Sequence, residues 1–125
     1  MPIRNSSRIL LVDDSGAVRG VVKRILTELG FTNVEEAADG TAALIKLEEC
    51  NYELVISDWN MEPMNGQALL ERVRSNKRLE RLPFIMMTAE SDEDKLIEAK
   101  FAGVSSFISK PFSAKTLEAK MSQID

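Results

Sequence analysis

Five reactive side chains stand at the ends of short apolar runs. Asp13 and Asp14 follow Arg8-Ile9-Leu10-Leu11-Val12, and Asp58 ends the run Leu54-Val55-Ile56-Ser57. Thr88 closes Pro83-Phe84-Ile85-Met86-Met87, and Lys110 follows Val104 to Ser109. Brought together, three carboxylates repel, since unit charges ~4 Å apart interact by several kcal/mol at intermediate dielectric. A hard divalent cation with oxygen ligands neutralises such a group, and Mg2+ suits a shallow site where it keeps several waters. Lys110 supplies a point charge for an anion that joins the metal. A carboxylate beside Mg2+, a lysine and a hydroxyl is the equipment for phosphoryl transfer onto that carboxylate.

Such chemistry requires the run ends to converge. The runs are rich in β-branched residues and suit strands buried on both faces of a parallel sheet. Between them lie helical patterns. From Ala17 to Leu29, Val18, Val21, Val22, Ile25, Leu26 and Leu29 fall at helical spacing, and Gly30 closes that helix. Asn33 to Ala38 reads as a weaker strand near a sheet edge. Asp39-Gly40 opens a helix carrying Ala42, Ala43, Leu44 and Leu47, and Cys50 stands at its end. After the loop Met61 to Gly66 comes a helix with Ala68, Leu69, Leu70 and Val73 inward. Ser91-Asp92-Glu93-Asp94 supplies a cap and favourable acids for a fourth helix, with Leu96, Ile97, Ala99 and Phe101 apolar. Ser113 caps the fifth. Five strand–helix units in strict alternation demand parallel pairing and right-handed crossovers, and five are too few for an eight-stranded barrel. The expected fold is an open, doubly wound α/β sheet whose strand ends meet at a switch point.

Composition narrows the function. The 125 residues suit a single domain, and a net charge of −4 argues against nonspecific binding to nucleic acid or to an anionic membrane. One cysteine excludes an internal disulfide, and no run approaches the ~20 apolar residues that span a bilayer. A cytoplasmic location is expected. The chain has no histidine, which removes His-based acid–base catalysis, Ser-His triads and His-ligated zinc.

Asp13-Asp14, Asp58-Trp59-Asn60-Met61, Thr88-Ala89 and Lys110-Pro111-Phe112 together match, in order, strand placement and spacing, the signature of response-regulator receiver domains. The chain resembles that family over nearly its whole length. It is most similar to the CheY-like single-domain chemotaxis regulators, through Glu28-Leu29-Gly30-Phe31 and Val34-Glu35-Glu36-Ala37 as well. The resemblance implies a flavodoxin-like sheet of order 2-1-3-4-5 with five helices, in one receiver domain over residues 1–125. It implies that Asp58 accepts a phosphoryl group and that Asp14, Asp58 and the main-chain carbonyl of Asn60 ligate Mg2+, with Asp13 acting through a water. Mn2+ is the substitute metal. Lys110 would pair with Asp58 and then with a phosphoryl oxygen. Thr88 would donate its hydroxyl to the phosphoryl group, and Phe107 would be the aromatic switch that turns inward with it. Asn60 and Glu90 would flank the site and tune the lifetime of the phosphoryl group. The family also has a cis bond at Lys110-Pro111.

The partners so implied are a CheA-like histidine kinase, a flagellar motor switch protein or another effector, and a phosphatase, with the chain itself a monomer. A phosphorelay shuttle, a phosphate sink or a receiver excised from a longer regulator is the alternative. Two positions depart from the family. Glu62 stands where proline commonly follows the loop methionine, the proline being Pro63, and Phe107 replaces the usual switch tyrosine. A hydrolase with an aspartyl nucleophile would need a second acid at Asn60, and a flavin site would not place two acids after the first strand. Taken alone, Asp13-Asp14-Ser15 would read as an ordinary helix cap.

Overall fold

Alternate side chains of the central strands enter opposite cores, so each strand is buried on both faces. In β1 (Arg8–Val12) Ile9 and Leu11 join one apolar cluster and Leu10 and Val12 the other. β3 (Leu54–Asp58) splits Leu54 and Ile56 from Val55, and β4 (Phe84–Ala89) splits Ile85 and Met87 from Phe84 and Met86. All of these are fully buried. Each contributes about 1.5–3 kcal/mol of transfer free energy, which outweighs the weak local preference of a five-residue strand. The computed structural model describes residues 3–89 and 103–124. With β2 (Asn33–Ala37) and β5 (Ser106–Lys110), the strands form a parallel sheet in the order β2-β1-β3-β4-β5, as expected, with β2 at an edge.

Four helices cover this sheet among the described residues. α1 (Gly16–Glu28) and α4 (Ala114–Ser122) pack on the Ile9 and Leu11 face, and α2 (Gly40–Glu49) and α3 (Gly66–Ser75) on the other. Each begins with a side chain that accepts from a backbone amide of its first turn: Ser15 from Val18, Asp39 from Ala42, Asn65 from Ala68 and Ser113 from Thr116. Gly30 closes α1 in the left-handed region, at φ 99°. Its amide donates to Thr27 O at 3.0 Å, and Phe31 N donates to Leu26 O at 3.0 Å. That pair of bonds satisfies the last carbonyls and folds Phe31 onto Leu26 in the core.

Two expectations need correction. Helical spacing places Val21 inward, yet it is 56 % exposed, because the sheet covers only the stripe through Val22 and Leu26. β5 starts at Ser106 rather than Val104: Ser105 donates its amide to Phe84 O at 2.9 Å, but Phe84 N donates to the Ser105 hydroxyl at 3.0 Å rather than to a backbone carbonyl, so the regular ladder begins at Ser106. Met61, Met86 and Met87 are buried and Met64 partly so, as packing residues should be. The helix expected from Ser91 to Phe101, and Glu90, lie outside the described residues.

Candidate functional site

Strand register levels the reactive residues at one end of the sheet. Val12 pairs with Ser57, Asp58 with Met87, Thr88 with Ser109 and Ala89 with Lys110. Asp13 and Asp58 are therefore neighbours one step past a paired position. Carboxylate oxygens of Asp13, Asp14 and Asp58 lie within 4.8 Å of one another. Lys110 Nζ donates to Asp58 Oδ1 at 2.9 Å and stands 3.6 Å from Asp13 Oδ2.

Burial makes this crowding consequential. Asp13 is 1 % exposed and Asp58 7 %, whereas Asp14 is open to solvent. Asp13 Oδ1 accepts from Ser15 N at 2.9 Å, while its buried Oδ2 accepts no hydrogen bond among the described residues. Burial raises the Asp13 pKa, and the charges of Asp58 and Asp14 add to it against the Ser15 amide and Lys110. Burial pulls the Lys110 ammonium down, but its hydrogen bond and charge pairing with Asp58, helped by Asp13, leave its pKa raised. One ammonium faces three carboxylates. The helix-cap reading therefore covers only part of the acidic pair: Ser15 is the cap, and Asp13 supports it with one oxygen. The surplus of oxygen donors, with Asp13 Oδ2 accepting no hydrogen bond among the described residues, fits a hard divalent cation, and nothing soft in the set favours zinc or copper.

Thr88 sits beside this group on β4, 3 % exposed, and its Oγ1 has no hydrogen-bond partner among the described residues. A buried hydroxyl without a partner costs on the order of 1–3 kcal/mol, which an incoming acceptor would recover. Phe107, in β5, is half-buried against the cluster on the α2 and α3 face. Trp59 is buried directly after Asp58, and Asn60 is exposed beyond it. Both Lys110-Pro111 and Glu62-Pro63 are cis.

Two contributors are not apparent from sequence alone. Gly66 opens α3 so close to the end of β3 that a Cβ there would lie 2.2 Å from Asp58 O. Its amide also donates to Trp59 O at 2.8 Å, which locks the loop that follows Asp58. Arg19 reaches back from α1 to Asp13 O at 2.6 Å and to Glu36 Oε1 at 3.1 Å, joining α1, β1 and β2 behind the acids. A glycine placed directly before a helical pattern is the available signal for the first. A lone cation within an apolar helix turn is the signal for the second.

The profile of the response regulator receiver domain matches residues 9–122. The chain belongs to that family. This receiver domain is 46% identical over 117 residues to the chemotaxis protein CheY of Pseudomonas aeruginosa, covering 94% of each chain. Among solved structures it is similar to the chemotaxis protein CheY4 of Vibrio cholerae, at 33% identity and a TM-score of 0.89, covering 96% of this chain and 99% of that one. It is also similar, at 25% identity and a TM-score of 0.87, to the receiver domain of a sensor histidine kinase from Pseudomonas aeruginosa PAO1, whose active-site cleft coordinates a magnesium ion. That match covers 95% of this chain and 97% of the other. The receiver domain is thus a two-component response-regulator module. No helix among its described residues is long and apolar enough to cross a membrane.

Proposed function

We propose that this receiver domain is a phosphorylation switch in which Asp58 is the phosphoacceptor, charged by a histidine kinase. The observation that carries the reading is the 2.9 Å contact of Lys110 Nζ with Asp58 Oδ1 inside the group of three aspartates. In the transfer, an Asp58 oxygen bonds to phosphorus as the phosphorus–nitrogen bond of a phosphohistidine breaks. The donor imidazole keeps the electron pair and takes up a proton. Lys110 then meets a phosphoryl oxygen instead of the free carboxylate, and Thr88 Oγ1 gains the acceptor it lacks. Asp14, Asp58 and the carbonyl of Asn60 would hold Mg2+, with Asp13 behind a water; when bound, the cation offsets negative charge on the transferring group. The magnesium ion of the histidine-kinase receiver supports that choice, and Mn2+ is expected to substitute.

The aspartyl phosphate adds about −1.5 to −2 charge to the strand ends. Movement of Thr88 toward it would draw Phe107 inward and alter the surface beside β5 and α4. An effector reads that surface, and hydrolysis of the acyl phosphate, with or without a phosphatase, resets it. The chemotaxis proteins among its relatives favour a motor switch protein as effector, a CheA-like kinase as donor and a cytoplasmic setting. Asn60 and Glu90 are the positions proposed to set the lifetime. The test is Trp59 emission during addition of Mg2+ and then acetyl phosphate, with intact-protein mass measured in parallel. Both the optical change and a phosphoryl mass gain are expected in the wild type, with the mass gain lost in Asp58→Asn. A flat wild-type response without mass gain would leave a constitutive adaptor.

A further inference from the structure

The same cleft carries an acid that the receiver signature does not require. Asp14, Asn60, Met61, Glu62 and Asn65 line an open polar recess of about 320 Å3 contiguous with the three aspartates through Asp14. Glu62 is exposed on its wall and lies outside the group of oxygens that converge within 4.8 Å. Its carboxylate makes no ion pair among the described residues, whereas Lys110, the cation of the site, is already engaged by Asp58 and Asp13. Buried Asp13 Oδ2 accepts no hydrogen bond among the described residues and has the Lys110 ammonium only at 3.6 Å, which leaves it able to serve a further partner at this end of the sheet.

We propose that Glu62 is an outer determinant of divalent-cation affinity, acting through solvent and through space on a cation held by the aspartates. The inference rests on the metal reading above. Glu62 is the second acid of the recess after Asp14 and adds a fourth negative charge to those of the three aspartates. A cation that keeps several waters can be recognised by a carboxylate that never touches it. The interaction crosses solvent, so it is screened by salt.

The test is a Mg2+ titration, with MgCl2 alone as probe, of the wild type, Glu62→Gln and Asp14→Asn, read by Trp59 emission and checked by equilibrium dialysis. Glu62→Gln is expected to raise the Kd for Mg2+ by about three- to ten-fold at low salt. Its melting temperature should be unchanged, because residue 62 is exposed. The gap should close in high salt, which a structural role would not produce. Equal affinity of wild type and Glu62→Gln, with weak binding by Asp14→Asn, overturns the role of Glu62 and leaves the metal site standing. Absence of Mg2+ binding in every variant overturns both.

Discussion

The Lys110 ammonium donates to Asp58 Oδ1 at 2.9 Å and stands 3.6 Å from Asp13 Oδ2, so it places a positive charge against two of the three aspartates that would hold a cation. It is both partner and competitor. Lys110→Met is therefore expected to tighten Mg2+ binding by about three- to ten-fold, the removed charge having opposed the ion. Acceptance of a phosphoryl group from acetyl phosphate should fall by about 100-fold or more, since a preorganised donor to the transferring oxygens is gone. Emission titration and mass labelling on one sample check both directions; a parallel loss of both would refute the dual role.

Asp13 is buried, and its Oδ2 accepts no hydrogen bond among the described residues. Asp13→Asn should melt at a higher temperature than the wild type in metal-free buffer, because it removes a buried like charge from the group. Saturating Mg2+ should shrink that advantage, since the cation rewards the charged form. Calorimetry with chelator and with Mg2+ gives the comparison. A variant less stable in both would mean that Asp13 is a structural cap first.

Thr88 has a buried hydroxyl without a partner among the described residues. Thr88→Val should leave the unmodified protein as stable, or more stable by about 1 kcal/mol, as judged by urea unfolding. Phosphoryl transfer to Asp58 should persist while the change that accompanies it at Phe107 and β5 is lost. Amide exchange with and without acetyl phosphate measures that change.

Gly66 is required by contact rather than by dihedral. Gly66→Ala would force a methyl group to 2.2 Å from Asp58 O and 2.9 Å from Met86 Sδ, so the loop must move. A loss of about 2–4 kcal/mol is expected in denaturant titration, together with slower labelling of Asp58. Full stability in this variant would show that the loop is slack.

The fold was legible where one physical signal dominated. The central residues of β1, β3 and β4 are apolar because both faces are covered, and such runs, two of them ending in acids, leave few architectures. Asp39-Gly40 was legible as the start of α2, Ser113 as a cap and Gly30 as the residue that ends α1, because these roles depend on local chain chemistry. Val21 was not, since a helical period gives the direction of the buried stripe but not its width. The five reactive residues were legible as a set through their positions at strand ends. The approach of Gly66 to Asp58 and the reach of Arg19 to Asp13 O were not, because each depends on how two segments meet in space. Glu62 stood out only as a departure from the family signature. Its cleft gives the departure a physical meaning.

The recurring order of strand, short loop and capped helix has an electrical consequence. Every helix among the described residues starts at the end of the sheet where the aspartates stand, and none of the four has an acid within its first turn. A helix start carries about half a positive elementary charge on its free amides, felt mainly within the adjacent turn. α1 begins two residues after Asp14, so this field falls on the acidic group itself. The backbone supplies a fixed positive background that neither salt bridges nor side-chain mutations can remove. An anion arriving at Asp58 meets the positive pole of the backbone beneath the three carboxylates, while at the opposite rim, where the helices end, the backbone pole is negative.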